Sequence, residues 1–185
     1  MSKQMIGKLL QERYQIVQLL STGVFRQTFI AVDMYHPDKT RYVVKQLKVN
    51  NYQSTSYFDY LKLRFLAETE TLKDLGLHPQ IPELITCFEE DEHFYLVQQF
   101  IPGESLAIEL PQNPKSRDKW SQIDIIKFLE DALSILEFVH SQGFIHCDIT
   151  PETLIRRAID GKLVLIDFGS IQPIDFSIET ALFID

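Results

Sequence analysis

Residues 144 to 157 read FIHCDITPETLIRR, and within this stretch His146 and Asp148 stand two apart, followed by Thr150 and Thr153. The pattern suits a loop that holds a carboxylate beside a phosphate. Such a loop would call for a base-assisting cation and a metal ligand at the two positions that threonines occupy. Three more groups complete an ordered set around it: Lys45 in VVKQL, Glu68 in FLAETETL and Asp167 in IDFG. A nucleotide triphosphate concentrates negative charge, so moving its terminal phosphoryl depends on positioning and on fixed positive charge. A hard cation at such a site wants oxygen ligands, which a carboxylate supplies. Each residue taken singly reads as a surface charge; the four in this order do not.

The elements that must position these groups can be read from periodicity. YQIVQLL, TFIAVD and RYVVKQL are rich in β-branched and aromatic residues, and MYHPDKT is a turn cluster, which predicts an antiparallel meander with Lys45 on its third strand. Leu61, Phe65, Thr69 and Leu72 recur at helical spacing, so Glu68 lies on one helix that Gly76 closes. ELITCFEE and HFYLVQQF give two further strands around an acidic turn, and Pro102-Gly103 breaks the pattern. After a polar loop containing PQNPKSRDK, Ile125, Leu129, Leu133, Leu136 and Val139 predict a mostly buried helix over 121–140. TLIRR and KLVLIDF, joined at Asp160 and Gly161, predict a hairpin carrying Asp167. No period is visible from Ser170 onward, where a loop is expected.

Composition removes several classes. The 185 residues are 45% hydrophobic and 24% charged, the proportions of a globular protein. A formal net charge of -8 without a local basic patch argues against nucleic acid as a partner. No apolar run approaches the ~20 residues that span a bilayer, and charges interrupt the apolar residues of MSKQMIGKLLQERYQIV, so neither membrane insertion nor a signal peptide is read. Cys87 and Cys147 form no disulfide framework and have no ligand partner at metal spacing, which fits a reducing cytoplasm. His36, His78, His93 and His140 are scattered over separate elements and read as turn, cap or surface residues.

On VVKQL, HCDITPETL and IDFG, in this order and at these separations, the chain resembles a eukaryotic-type Ser/Thr protein kinase domain of the bacterial kind, from about Tyr14 onward. The resemblance implies an α+β, bilobal fold: an antiparallel five-stranded lobe with one helix over 14–100, preceded by an extension over 1–13, and a partial helical lobe over 101–185. It implies ATP and Mg2+ as cofactors and a protein substrate or regulated partner protein. Lys45 then corresponds to the lysine on the α- and β-phosphates, Glu68 to its helix ion-pair partner, Asp148 to the catalytic carboxylate and Asp167 to the metal ligand. Glu70 competes with Glu68; the latter is preferred because Leu72 falls on its face four residues later. The nucleotide site would be lined by Ser21, Gly23, Thr28, Val43, Lys45 and Ile155, with hinge hydrogen bonds from the backbone of Gln99 and Ile101 and with Gln98 as gatekeeper. Leu72, Leu84, His146 and Phe168 match the apolar positions that stack across an assembled kinase.

The chain departs from that family at identifiable positions. The phosphate-covering loop is Ser21-Thr22-Gly23-Val24-Phe25-Arg26, where glycines would permit close backbone approach; Arg26 at the tip either contacts phosphate or holds the loop away. Cys147 replaces an arginine, Thr150 a lysine near the transferred phosphoryl, and Thr153 an asparagine metal ligand. Loss of one well-aimed donor from such a site costs about 2.7 to 4 kcal/mol of transition-state stabilisation, so slow chemistry is expected. A complete domain would continue beyond the IDFG stretch, and the end in ALFID suggests truncation, leaving apolar surface of the 121–140 helix uncovered. Three readings follow: a weak Ser/Thr kinase, a pseudokinase that binds nucleotide or protein, and a small-molecule phosphotransferase.

Overall fold

The computed structural model of this protein describes residues 5–48, 55–109 and 120–174. Its described residues divide into two compact units: one runs through Lys73 and resumes at Pro82–Phe100, the other comprises Asp74–Ile81 and the residues from Ile101 onward.

The first unit is an antiparallel sheet of β1 (Leu9–Leu10), β2 (Tyr14–Thr22), β3 (Arg26–Asp33), β4 (Arg41–Leu47), β5 (Leu84–Glu90) and β6 (His93–Gln99), in the order β1-β2-β3-β4-β6-β5, with helix α1 (Thr55–Leu75) between β4 and β5. The expectation of five strands is therefore corrected to six. The added strand comes from residues read as an extension: Leu9 and Leu10 pair with Gln15 and Tyr14, and the Gly7 N–H donates to the Ile16 carbonyl at 2.8 Å. Two residues are too few to display the alternation by which a strand is recognised.

Period-2 alternation separates the two faces of β4. Val44 packs with Leu10, Tyr14, Ile16, Phe29, Ala31, Tyr95 and Val97 in one core, so Val43 and Lys45 point the other way. Where β2 begins, Arg13 reaches the buried Asp33, its Nη2 2.7 Å from Oδ2. Hydrogen bonding from that guanidinium holds the Asp33 carboxyl below the ordinary carboxylate range. Along α1, Phe65, Glu68, Thr69, Leu72 and Leu75 are buried, a stripe at helical spacing.

The second unit carries β7 (Gly103–Ser105), α2 (Leu106–Glu109), α3 (Gln122–Ser141), β8 (Phe144–Ile145), a 3-10 turn (Pro151–Thr153), β9 (Leu154–Arg157), β10 (Leu163–Leu165) and β11 (Gln172–Pro173). The predicted hairpin forms from β9 and β10, and β7 joins it as a third strand. A Cβ on Gly103 would lie 2.2 Å from the Arg156 carbonyl oxygen, so only glycine allows β7 this approach. Gln80 braces β10 from both ends of its residue: its carbonyl accepts from the Leu165 N–H and its side-chain amide donates to the Leu163 carbonyl, both at 2.9 Å.

Two expectations change here. β11 pairs with β8, so order extends past Ser170; residues 175–185, like the PQNPKSRDK stretch at 111–119, lie outside the described residues. Helix α3 starts at a capping box, in which Ser121 and Asp124 bond each other's backbone N–H. It is not mostly buried: Ile125, Leu129 and Leu133 are exposed, whereas Ile135 and Val139 are buried. Periodicity reports which residues share a side, not whether anything covers that side. Among the described residues no helix is long and apolar enough to cross a membrane.

Candidate active site

In the first unit, Lys45 lies mid-strand on β4, opposite Thr28 of β3 and Leu96 of β6. Its Nζ is 2.6 Å from Oε1 of Glu68, whose side chain is fully buried. The helical stripe explains the choice of carboxylate. Glu68 falls among the buried positions, whereas Glu70, two residues on, is exposed and pairs with Lys73 at 2.6 Å. Burying a charge pair costs several kcal/mol per ion unless the geometry is good and the remaining lone pairs are met. Arg26 pairs with the second oxygen as an ion, its Nη2 2.9 Å from Glu68 Oε2 but not aligned as a hydrogen bond, and its guanidinium lies 5.7 Å from the centroid of the Phe65 ring. The cation expected either to contact phosphate or to hold the loop away is thus anchored on α1. Nothing in the sequence signals this contact, because it depends on how the β2–β3 turn meets the helix.

That turn is tight. Ser21 and Thr22 end β2 opposite Thr28 and Gln27, and the Gly23 N–H donates to the Arg26 carbonyl at 2.8 Å. A Cβ on Gly23 would sit 3.4 Å from that oxygen, an ordinary contact, so space alone does not demand glycine there. Phe25 meets Tyr57 of α1 edge-on, with centroids 5.5 Å apart. Val43 pairs with Ile30 and Gln98, and Gln98 is buried. The Gln99 N–H donates to the Glu83 carbonyl at 2.8 Å, so a hinge hydrogen bond from Gln99 falls to its carbonyl. Leu72 is buried and Leu84 half-buried.

In the second unit, the loop before the 3-10 turn is held by its own polar groups. The Asp148 N–H donates to His146 Nδ1 at 3.3 Å, which makes Nε2 the donor to the Ile166 carbonyl at 3.2 Å. The His146 ring packs edge-on against Phe168, with centroids 4.9 Å apart, and both are buried. Thr153 is buried, and its hydroxyl is the centre of the loop: it accepts from the Thr150 N–H at 3.0 Å and faces the Asp148 and Thr150 carbonyls at 3.0 and 3.1 Å. The Ile166 N–H closes onto the Thr153 carbonyl at 2.8 Å, joining this loop to the Asp167 segment. Asp148 is left exposed and Thr150 and Asp167 half-buried. Cys147 and Asp167 both take the left-handed conformation, with φ of 63° and 65°, which is uncommon for residues with a Cβ and is found at functional sites. Ile101 is half-buried, and Ile155 lies on β9 opposite Ser105 and Val164.

Each unit by itself carries groups of the kinds that a magnesium nucleotide takes. Lys45, Arg26 and Glu68 together carry one net positive charge, suited to a polyanion. Asp167 offers the hard oxygen that magnesium takes from protein when phosphate oxygens complete its shell. The Thr153 hydroxyl is engaged by the loop backbone. Among the described residues no three His, Cys, Asp or Glu gather into a metal cage. Magnesium held by one carboxylate and phosphate oxygens does not require such a cage.

Comparison with known proteins bears on the family and the fold. The family described as "Protein kinase domain" matches residues 14–180. The chain is 42% identical over 163 residues to serine/threonine-protein kinase B of Synechocystis sp., covering 88% of this chain and 28% of that protein. It is 39% identical to PknA, a serine/threonine-protein kinase of Nostoc sp., covering 89% and 28% of the two chains. Against the probable serine/threonine-protein kinase YbdM of Bacillus subtilis the identity is 32%, covering 88% and 59%. The chain thus spans under a third of the length of the two cyanobacterial relatives. A solved kinase-domain crystal structure superposes with a TM-score of 0.69 at 18% identity, covering 93% of this chain and 55% of that one, a likeness of fold. With a strand lysine paired to a buried helix glutamate, a His-x-Asp loop and a match over nearly its whole length, the chain belongs to the protein kinase family.

Proposed function

We propose that this chain binds ATP with magnesium and passes the γ-phosphoryl to a Ser or Thr hydroxyl of a protein, at a low rate. The observation that carries this reading is the buried Lys45–Glu68 pair at 2.6 Å. A buried ion pair contributes little to stability over an apolar replacement, so its upkeep points to use. In this reading Lys45 fixes the α- and β-phosphates, and the Gln99 carbonyl and Ile101 N–H meet the adenine edge. Val43 and Ile155 supply apolar contact, and Ser21, Gly23 and Thr28 border the phosphates. Asp167 holds the metal, which when bound neutralises charge between phosphate oxygens. Asp148, exposed on its stapled loop, orients the substrate hydroxyl and accepts its proton. The exposed thiols of Cys87 and Cys147 support a reducing, cytoplasmic setting.

A nucleotide-binding pseudokinase is the second reading. Thr153 favours it, because a hydroxyl committed to the loop backbone replaces a metal ligand. Thermal shift with ATP, with and without magnesium, run beside radiolabel transfer to generic protein substrates, separates the two. The kinase reading expects a magnesium-dependent shift that Lys45→Met and Asp167→Asn abolish. It also expects transfer that Asp148→Asn reduces by about 100-fold or more while the shift persists. A shift without transfer establishes the pseudokinase, and absence of both overturns nucleotide binding.

A further inference from the structure

We propose that Arg26 is a positioning residue for the Lys45–Glu68 pair: a second cation on the same buried carboxylate that ties the β2–β3 turn to helix α1. The assignment rests on the reading of Lys45 as the phosphate-binding lysine, and it extends that reading to how the lysine is held.

Glu68 has two oxygens and no exposure, and each faces a different cation from a different element. Lys45 Nζ from β4 is 2.6 Å from Oε1, and Arg26 Nη2 from the start of β3 is 2.9 Å from Oε2. A lone lysine would leave Oε2 in a dry site with no charged partner, a costly arrangement that releases itself by helix displacement or by protonation. Arg26 supplies the charged partner as an ion pair, although Oε2 accepts no aligned hydrogen bond, so it offsets part of that cost. Its planar group reaches the carboxylate while lying over Phe65, one turn earlier on the same buried stripe of α1, so it contacts the helix through both charge and ring. The Phe25–Tyr57 contact and the bond from the Lys48 N–H to the Phe25 carbonyl at 2.8 Å fix the neighbouring residue of the turn. Helix α1 is therefore docked by the turn itself, through the carboxylate that also holds Lys45. The cation's position on the carboxylate, rather than in the open turn, also accounts for a long side chain standing where the family's phosphate loop has glycine.

The test is a double-mutant cycle in the full chain, read by amide hydrogen exchange and by nucleotide binding. Arg26→Met keeps the aliphatic stem over Phe65 and removes the charge. It is expected to speed exchange in α1 and in the β2–β3 turn by about tenfold, with Arg26→Lys recovering most of the protection. It is also expected to weaken ATP binding by about tenfold and adenosine binding by less than about twofold. In a Glu68→Gln background the same substitution should add less than about twofold to either measurement. An effect of Arg26→Met that persists undiminished with Glu68→Gln would show that Arg26 contacts phosphate directly, and unchanged exchange in α1 would show that it docks nothing; either result overturns the proposal. Should the unsubstituted chain bind no ATP, the nucleotide reading fails, while the exchange cycle still decides the role of Arg26.

Discussion

Thr153 shows how much a single hydroxyl can organise. One oxygen accepts from the Thr150 N–H and faces the carbonyls of Asp148 and Thr150, so this residue is the staple of the loop that presents Asp148. Thr153→Val preserves the shape and removes the hydroxyl, leaving buried backbone groups short of a partner. A loss of about 1–3 kcal/mol is expected, measured as a lower midpoint in urea unfolding. A midpoint within error of the parent would mean that water takes over these bonds. At this scale the sequence was partly legible. Glu68 could be preferred to Glu70 because helical periodicity assigns burial, and the buried stripe of α1 bears out that side of the helix. The Arg26 contact to Glu68 was not legible: the two residues are far apart in sequence, and no local pattern records which carboxylate a turn residue will meet.

Among elements, the long strands and both long helices could be read because β-branched runs and repeating apolar residues state their own period. The two-residue strands β1, β8 and β11 and the three-residue β7 could not, since pairing across the sheet, not local preference, creates them. Gly103 makes the dependence of β7 on its partner measurable. Alanine there would drive a Cβ to 2.2 Å from the Arg156 oxygen and 2.9 Å from Ile155 Cγ2, so the strand must lift from β9. Gly103→Ala is expected to cost about 1–3 kcal/mol in denaturant unfolding, with hydrogen exchange rising at Arg156 and Ala158, whose backbone faces β7. Exchange at β9 unchanged from the parent would contradict this close approach. The misjudged face of α3 has a different origin. A row of isoleucines and leucines has the same spacing whether or not it is covered, so periodicity alone reads Ile125, Leu129 and Leu133 as buried, whereas their exposure agrees with the expectation that this helix leaves apolar surface uncovered.

For the molecule as a whole, the order of strand lysine, helix glutamate, His-x-Asp loop and hairpin aspartate was sufficient to indicate the family. The limits of the folded body were harder to see. The family match begins at residue 14, but Leu10 is wholly buried and the Arg13 guanidinium sits on the buried Asp33. A gene fragment begun at Tyr14, the boundary that similarity alone would recommend, therefore discards a core leucine and strands a carboxylate in the interior. Such a fragment should melt several degrees below the full chain by circular dichroism. Its response to acid should change as well. In the full chain the Asp33 carboxyl is held below its ordinary value, so that contribution is present above about pH 4 and fades as pH falls. Without Arg13 this acid limb should flatten, and equal melting curves for both lengths from pH 3 to 7 would refute the link. Choosing where to cut is thus a question of charge balance and packing inside the fold, and it has to be settled at least four residues earlier than homology would place it.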